Sequence, residues 1–153
     1  MKVLISACVW GDNVRWNGTN RMYYDLHVWA EANGIELVPV CPEDELFGTP
    51  RKPIRLEQVG DEGVVGWMGG KDVYRNLVDK AFEITDRHSD AVGFIGIAGS
   101  PSCGISVGVK NRGSTMKAPM HMQSRFPTTE VNSLRTETNR KLFLERVKKY
   151  ESR

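Results

Sequence analysis

Three short apolar runs, separated by helical patterns, restrict this chain to few folds. The runs cover residues 3–7, 35–40 and 91–98. Each is rich in Val, Ile and Leu and is bounded by Gly, Pro or polar residues, which is typical of buried strands. Helical spacing of apolar residues covers 21–32 and 71–87. Because strands that alternate with helices pair in parallel through right-handed crossovers, the sequence predicts an α/β fold. We expect a three-layer sandwich around a small, mostly parallel, Rossmann-like sheet.

The predicted helices carry recognisable end signals and buried stripes. Asn20 can cap the first helix and Gly34 can end it. A last helix is predicted over 138–150. The residues expected to face inward are Val73, Leu77, Ala81 and Ile84 in the second helix, and Phe143, Val147 and Tyr150 in the last.

Two stretches give no such pattern. After Cys41 the chain is punctuated by Gly48, Pro50 and Pro53, so we expect a long loop there rather than a helix or a central strand. Long loops in compact domains often carry function. Residues 107–127 have no clear period.

Size and composition exclude several classes of protein. A chain of 153 residues has room for one domain, 1–153, with one core. Its net charge of +2 is too small to indicate general nucleic-acid binding, and its longest apolar run is too short to span a membrane. We expect a cytoplasmic protein, monomeric or dimeric, whose three cysteines remain free thiols.

The three cysteines follow the three apolar runs. Cys8, Cys41 and Cys103 each lie where a predicted strand gives way to Pro, Gly or polar residues. Parallel strands present their carboxyl ends at one edge of the sheet, where open α/β sheets bind ligands. Thiolates favour zinc or iron-sulfur clusters, and three ligands leave one position open. Cysteine is also a common buried apolar residue, so the spacing alone leaves both interpretations open.

Polar residues close to two of the cysteines are candidates for proton transfer. Glu43 follows Cys41 by two residues and could act as a general acid or base. Ser100 and Ser102 lie in the string GSPSCGIS around Cys103, whose backbone could bind an anion or cluster sulfide. Glu43 could equally be a solvated surface residue, and the string an ordinary turn.

Basic residues flank the first two cysteines. Arg15, Arg51, Lys52 and Arg55 lie in the two predicted loops after Cys8 and Cys41. They could bind a substrate phosphate through charge-assisted hydrogen bonds. Scattered basic residues are more often surface charge.

Five sequence strings together resemble the family catalogued as domain of unknown function 523. They are LISACVWG, RWNG, VPVCPEDELFGTPRKP, GKDV and SPSCG, spread over residues 2–104. Members of that family include thiouracil desulfidases with an oxygen-sensitive 4Fe-4S cluster held by three cysteines. The resemblance implies that Cys8, Cys41 and Cys103 hold the cluster, and it matches Glu43, Ser100 and Ser102 to family positions. This chain has Val14 where many members have a further cysteine, and RWNG where they have RYDG.

The resemblance and the thiolate chemistry lead to one principal hypothesis. It is a non-redox desulfidase that replaces C=S by C=O in thiouracil or 4-thiouridine compounds, including the monophosphate, and releases hydrosulfide. The alternatives are a non-catalytic iron-sulfur or zinc protein for electron transfer, sulfur transfer or sensing, and a cluster-free nucleotide-binding module.

Overall fold

The computed structural model describes residues 1–61 and 63–153. The strands are β1 (Lys2–Ser6), β2 (Glu36–Val40), β3 (Ile54–Val59), β4 (Gly63–Met68), β5 (Lys71–Asp72), β6 (Gly93–Gly96), β7 (Val109–Lys110) and β8 (Thr128–Glu130). The α-helices are α1 (Ala7–Trp10), α2 (Tyr24–Ala32), α3 (Pro42–Phe47), α4 (Tyr74–Arg87), α5 (Pro119–Gln123) and α6 (Glu137–Glu151), and a 3-10 helix covers Val131–Arg135. None of the described helices has the length and apolar character needed to cross a membrane.

A parallel sheet forms the centre of the protein. Its strand order is β2-β1-β6-β8, and its three neighbouring strand pairs are all parallel. Val3, Leu4 and Ile5 in β1 are fully buried, as expected for a central strand that is covered on both faces. The predicted α/β class with a mostly parallel sheet is therefore confirmed.

Helices cover both faces of this sheet. On one face, Val3 and Ile5 belong to a cluster that includes residues of α2 and α6. On the other face, Leu4 and Phe94 pack in a cluster with residues of α4 and α5. These two apolar clusters give the three layers that alternating strands and helices predicted.

A second sheet, which the sequence did not predict, occupies the stretch after Cys41. Its order is β5-β4-β3-β7, with β3 and β4 antiparallel and β7 parallel to β3. The expectation of one long loop was wrong because Gly48, Pro50 and Pro53 all lie between the end of α3 and the start of β3 and interrupt neither element. In β3, Ile54 and Leu56 are buried while Arg55 is exposed, so a two-residue period was present. This small sheet packs on α4 through Val73 and Leu77.

Helix boundaries differ from the prediction at two starts. Asn20 does not cap α2, which begins at Tyr24. Its Oδ1 instead accepts a hydrogen bond from the Met22 N–H in a local turn, at 3.1 Å. The α4 helix begins at Tyr74 because Lys71 and Asp72 pair with β4. The predicted stripe of α4 is confirmed as buried, and so are Phe143 and Val147 in α6, whereas Tyr150 is half-buried.

The topology places the ends of three strands side by side. β1 lies between β2 and β6, and all three run in the same direction. Cys8 follows β1, Cys41 follows β2, and Cys103 lies in the loop after β6. The segments that carry the three thiols therefore begin at one edge of the sheet.

Candidate active site

A pocket of about 310 Å³ opens at the carboxyl edge of the parallel sheet. Cys8, Cys41 and Cys103 all line it, so the three thiols share one pocket. Each is a free thiol. The other lining residues are Ser6, Ala7, Val14, Arg15, Trp16, Val40, Glu43, Arg51, Pro53, Ile54, Ile97, Ala98, Gly99, Ser100, Pro101 and Ser102.

Each thiol is held by different local structure. Cys8 lies in the single turn of α1 that continues β1. Cys41 is the N-cap residue of α3, and its Sγ accepts a hydrogen bond from the Asp44 N–H at 3.4 Å. The backbone N–H of Cys103 donates to Ser100 Oγ at 3.1 Å. These two hydrogen bonds hold the thiol of Cys41 and the backbone of Cys103 within tight turns.

Burial raises the pKa of all three thiols and so favours their protonated form. It raises the pKa of Cys8, with the nearby Arg15 opposing the rise, and it raises the pKa of Cys41 to about 11. The pKa of Cys103 is also raised by burial. A buried thiol loses its proton most readily to a metal centre, which supplies the compensating positive charge. The donor set therefore suits soft metal ions.

The three thiols are the residues of this pocket that could hold a metal centre. Within residues 1–61 and 63–153, no three His, Cys, Asp or Glu side chains are placed to hold one metal ion. Thiols in one pocket are soft donors of the kind that bind zinc or iron-sulfur clusters.

A short chain of hydrogen bonds connects the Cys103 loop with α3. Ser102 Oγ donates to Glu43 Oε2 at 2.6 Å, in a buried environment. Ser100 Oγ lies 3.4 Å from Ser102 Oγ. All three side chains line the pocket. The structure thus brings together a carboxylate and two hydroxyls, which can hold or pass protons beside the thiols.

Arg51 is occupied by the protein itself. Its Nη1 donates to Gly48 O at 3.1 Å and to Thr49 Oγ1 at 2.9 Å, and its Nη2 donates to Val14 O at 2.8 Å. Its Nε lies 3.6 Å from Glu43 Oε1, and the two side chains are only 6% and 10% exposed. Arg51 therefore joins the loop after β1 to the loop after α3 and pairs with Glu43. Few of its donors remain for a substrate.

The other basic candidates are separated by the fold. Arg15 is half-buried and lines the pocket. Lys52 is exposed and does not line it; its side chain lies against Gly69 in the turn between β4 and β5. Arg55 lines a neighbouring cavity of about 600 Å³, which shares Ile54, Gly99 and Pro101 with the pocket. The position of Arg55 follows from β3, whose alternation turns Arg55 away from the buried Ile54.

Sequence reasoning missed three residues at this site. Trp16 and Ser6 line the pocket, and the buried Ser6 Oγ has no hydrogen-bond partner among the described residues. His121 contacts the third cysteine loop, since its Nε2 lies 2.7 Å from the carbonyl oxygen of Cys103. Ser6 and Trp16 are close in sequence to Cys8, and that proximity was the available signal. Nothing in the irregular stretch 107–127 pointed to His121.

A three-layer α/β domain that gathers thiols, a carboxylate and hydroxyls beyond its parallel strands has the organisation of an enzyme. A model of the 2-thiouracil desulfurase family matches residues 3–130. The chain therefore belongs to that family, and it is an enzyme of the desulfurase class. This finding confirms the family resemblance seen in the sequence.

Among solved structures, the chain is similar to a 4Fe-4S-dependent thiouracil desulfidase, TudS (DUF523Vcz). The two are 25% identical, with a TM-score of 0.67 over 87% of this chain and 92% of that chain. No curated protein is significantly similar to the chain.

The buried pair formed by Arg51 and Glu43 yields a prediction about stability. We expect Arg51→Met to lower the free energy of unfolding by about 3 kcal/mol, because it leaves the Glu43 carboxylate buried without its cation. Urea unfolding followed by circular dichroism measures this difference. The double variant Arg51→Met/Glu43→Gln should recover part of the loss.

Arg75→Met is the matched control for that measurement. Arg75 also pairs with a carboxylate, Asp79, but its side chain is 87% exposed. Its removal should change the free energy of unfolding by no more than about 0.5 kcal/mol. Equal losses in the two single variants would contradict a special role for the buried pair.

Proposed function

We propose that this protein is a desulfidase that replaces the C=S group of a thiolated pyrimidine by C=O and releases hydrosulfide. One observation carries the proposal: three free thiols share a pocket with a hydrogen-bonded carboxylate and hydroxyl. The thiols suit a metal cluster, and the polar pair suits proton transfer. Family membership agrees with this chemistry.

The residues that would hold a 4Fe-4S cluster are Cys8, Cys41 and Cys103. The similarity to a 4Fe-4S-dependent desulfidase supports this assignment, as does the presence of all three thiols in one pocket. When bound through three cysteines, such a cluster keeps one iron free to act as a Lewis acid toward the sulfur of the substrate. Free thiols and an oxygen-sensitive cofactor suit a reducing compartment, so the cytoplasm is the proposed location.

Glu43, Ser102 and Ser100 are the groups proposed to move protons. The reaction forms a C–O bond with water and breaks the C–S bond, without net oxidation or reduction. Water gives up two protons, one of which leaves with sulfur as hydrosulfide while the other reaches solvent. Glu43 Oε2 already accepts a hydrogen bond from Ser102 Oγ, so a proton can pass between water and Glu43 through this hydroxyl.

The cofactor assignment makes the first prediction about function. We expect anaerobically purified protein to be brown and to contain about four irons and four sulfides per chain. Replacing any one of the three cysteines by Ser should abolish most of this content, because three ligands leave no spare. Iron, sulfide and zinc assays measure it. Colourless protein with one zinc per chain would favour the zinc alternative instead.

The proton-transfer assignment makes the second prediction about function. We expect Glu43→Gln to retain the cluster and to lower kcat roughly a hundredfold, the usual effect of removing a general acid or base. Glu45→Gln is the matched control, since Glu45 lies on the same helix but pairs with Arg87 at 2.7 Å, outside the pocket. Steady-state assays with 2-thiouracil compare the two variants at equal iron content. Similar kcat values for both would remove Glu43 from the mechanism.

The two serines separate in the same assay. Ser102 contacts Glu43 directly, so Ser102→Ala should lower kcat. Ser100 Oγ accepts a hydrogen bond from the Cys103 N–H, so Ser100→Ala should mainly lower the iron content of the protein. When kcat is compared at equal iron content, Ser100→Ala should have the smaller effect of the two variants.

We further propose that the substrate carries a phosphate, as a 4-thiouridine monophosphate does. Arg15 lines the pocket, and the adjoining cavity contains Arg55 and Lys110. The pocket and the cavity share Ile54, Gly99 and Pro101, so a ligand larger than a free base can extend from one to the other. Arg51 is removed from this role by its internal hydrogen bonds, and Lys52 by its position.

The phosphate proposal gives a third prediction. We expect kcat/KM for 4-thiouridine monophosphate to exceed that for 4-thiouracil by about tenfold, since one charge-assisted hydrogen bond contributes about 1.5 kcal/mol or more. Arg15→Ala or Arg55→Ala should reduce this ratio, whereas Lys52→Ala should leave it unchanged. A ratio near one in the wild type would mean that the pocket recognises the thiolated ring alone.

A further inference from the structure

The apolar part of the pocket wall is mostly aliphatic. Val40, Ile54 and Ile97 contribute branched side chains, and Pro53 and Pro101 contribute rings without π electrons. Among the lining residues that the structure describes, Trp16 is the one aromatic residue. A planar heterocycle that enters this pocket can therefore stack on a π face only at Trp16.

The backbone of Trp16 is fixed although its side chain is accessible. Its carbonyl oxygen accepts a hydrogen bond from the Arg51 N–H at 2.9 Å. On either side of it, Arg15 N–H donates to Thr19 O at 3.0 Å, and Gly18 N–H donates to Arg15 O at 2.7 Å. These bonds form a tight turn. Trp16 is nevertheless 45% exposed, so part of its large apolar surface lacks protein contact.

We propose that the indole of Trp16 stacks on the ring of the thiolated pyrimidine and thereby selects cyclic, aromatic thiocarbonyl compounds. The inference rests on the proposed function, because it concerns the substrate of the same pocket. Aromatic side chains favour offset stacking with flat rings, and stacking on a base tolerates changes in the ring substituents. Trp16 recognises the ring, whereas the three thiols would hold the cluster and Glu43 would move protons at the thiocarbonyl group. Trp16 is thus a residue for binding and specificity.

Substitution of Trp16 separates binding from chemistry. We expect Trp16→Leu to raise KM for 2-thiouracil by about tenfold, in line with the loss of one stacking contact, and to change kcat by less than about twofold. Trp16→Phe, which keeps a flat ring, should recover most of the wild-type KM. The iron content of all variants is measured first, so that differences in cluster loading do not enter kcat.

Tyr24→Leu is the control. Tyr24 is an exposed aromatic residue like Trp16, but it lies on α2 and lines neither the pocket nor the adjoining cavity. Its replacement should leave KM for 2-thiouracil unchanged. An unchanged KM in Trp16→Leu, or a fall in kcat at constant KM, would overturn the stacking proposal.

Binding of uracil tests the stack independently of desulfuration. Uracil has the same ring but no sulfur, and its affinity for the holoenzyme can be measured by equilibrium dialysis. We expect about tenfold weaker binding of uracil to Trp16→Leu than to the wild type or Tyr24→Leu. Equal binding to all three would again overturn the stack. A wild type that binds uracil but desulfurates no thiopyrimidine would instead contradict the proposed function.

Discussion

Parallel pairing of β1 with both β2 and β6 is the constraint on which the rest of this structure depends. The register joins Lys2 to Glu36 on one side and Val3 to Gly93 on the other, so three strand ends are level at one edge. Residues far apart in the sequence then begin their loops within one small region. The backbone hydrogen bonds of the sheet bring the three cysteines to one pocket, and the side-chain interactions of the loops adjust each thiol within it.

The ion pair between Arg51 and Glu43 stabilises the loops around the pocket at the carboxyl edge of the parallel sheet. A guanidinium has five N–H donors in a rigid plane, and Arg51 uses three of them on Val14 O, Gly48 O and Thr49 Oγ1 while its Nε lies 3.6 Å from Glu43 Oε1. Two loops and a carboxylate therefore share one cation. A lysine could not reproduce this set, because its ammonium has three donors and no fixed plane. The carboxylate that this arrangement holds is the one that Ser102 contacts, so the ion pair links folding of the pocket to its proton-transfer groups.

The sequence predicted the parallel layer well and the second sheet poorly, for physical reasons. The runs around Ile5, Val38 and Ile95 are apolar on both faces, and such strands stand out in any sequence. The β3–β4 hairpin has only one buried face, and the prolines before it suggested a loop. The site shows the same division: strand ends predicted that the cysteines share one pocket, whereas closeness in sequence grouped Lys52 and Arg55 with Arg51, and the fold separates them. Neighbours on a strand point to opposite faces, so Ile54 is buried and lines the pocket, whereas Arg55 is exposed and lines only the adjoining cavity.

The irregular stretch 107–127 supports the loop that carries Cys103, although no periodic pattern in its sequence indicated this role. The N–H groups of Met120 and Ala118 donate to Ser102 O at 3.1 Å and Gly104 O at 2.8 Å, and His121 bonds to the Cys103 carbonyl. Three successive carbonyls of the third cysteine loop are thus held by one segment. Gly96 makes this approach possible, because a methyl group at that position would overlap the Cys103 carbonyl and lie 2.6 Å from His121 Nε2. Support of this kind requires close contact between backbone segments and no periodic apolar pattern. The sequence therefore indicates it only by a glycine.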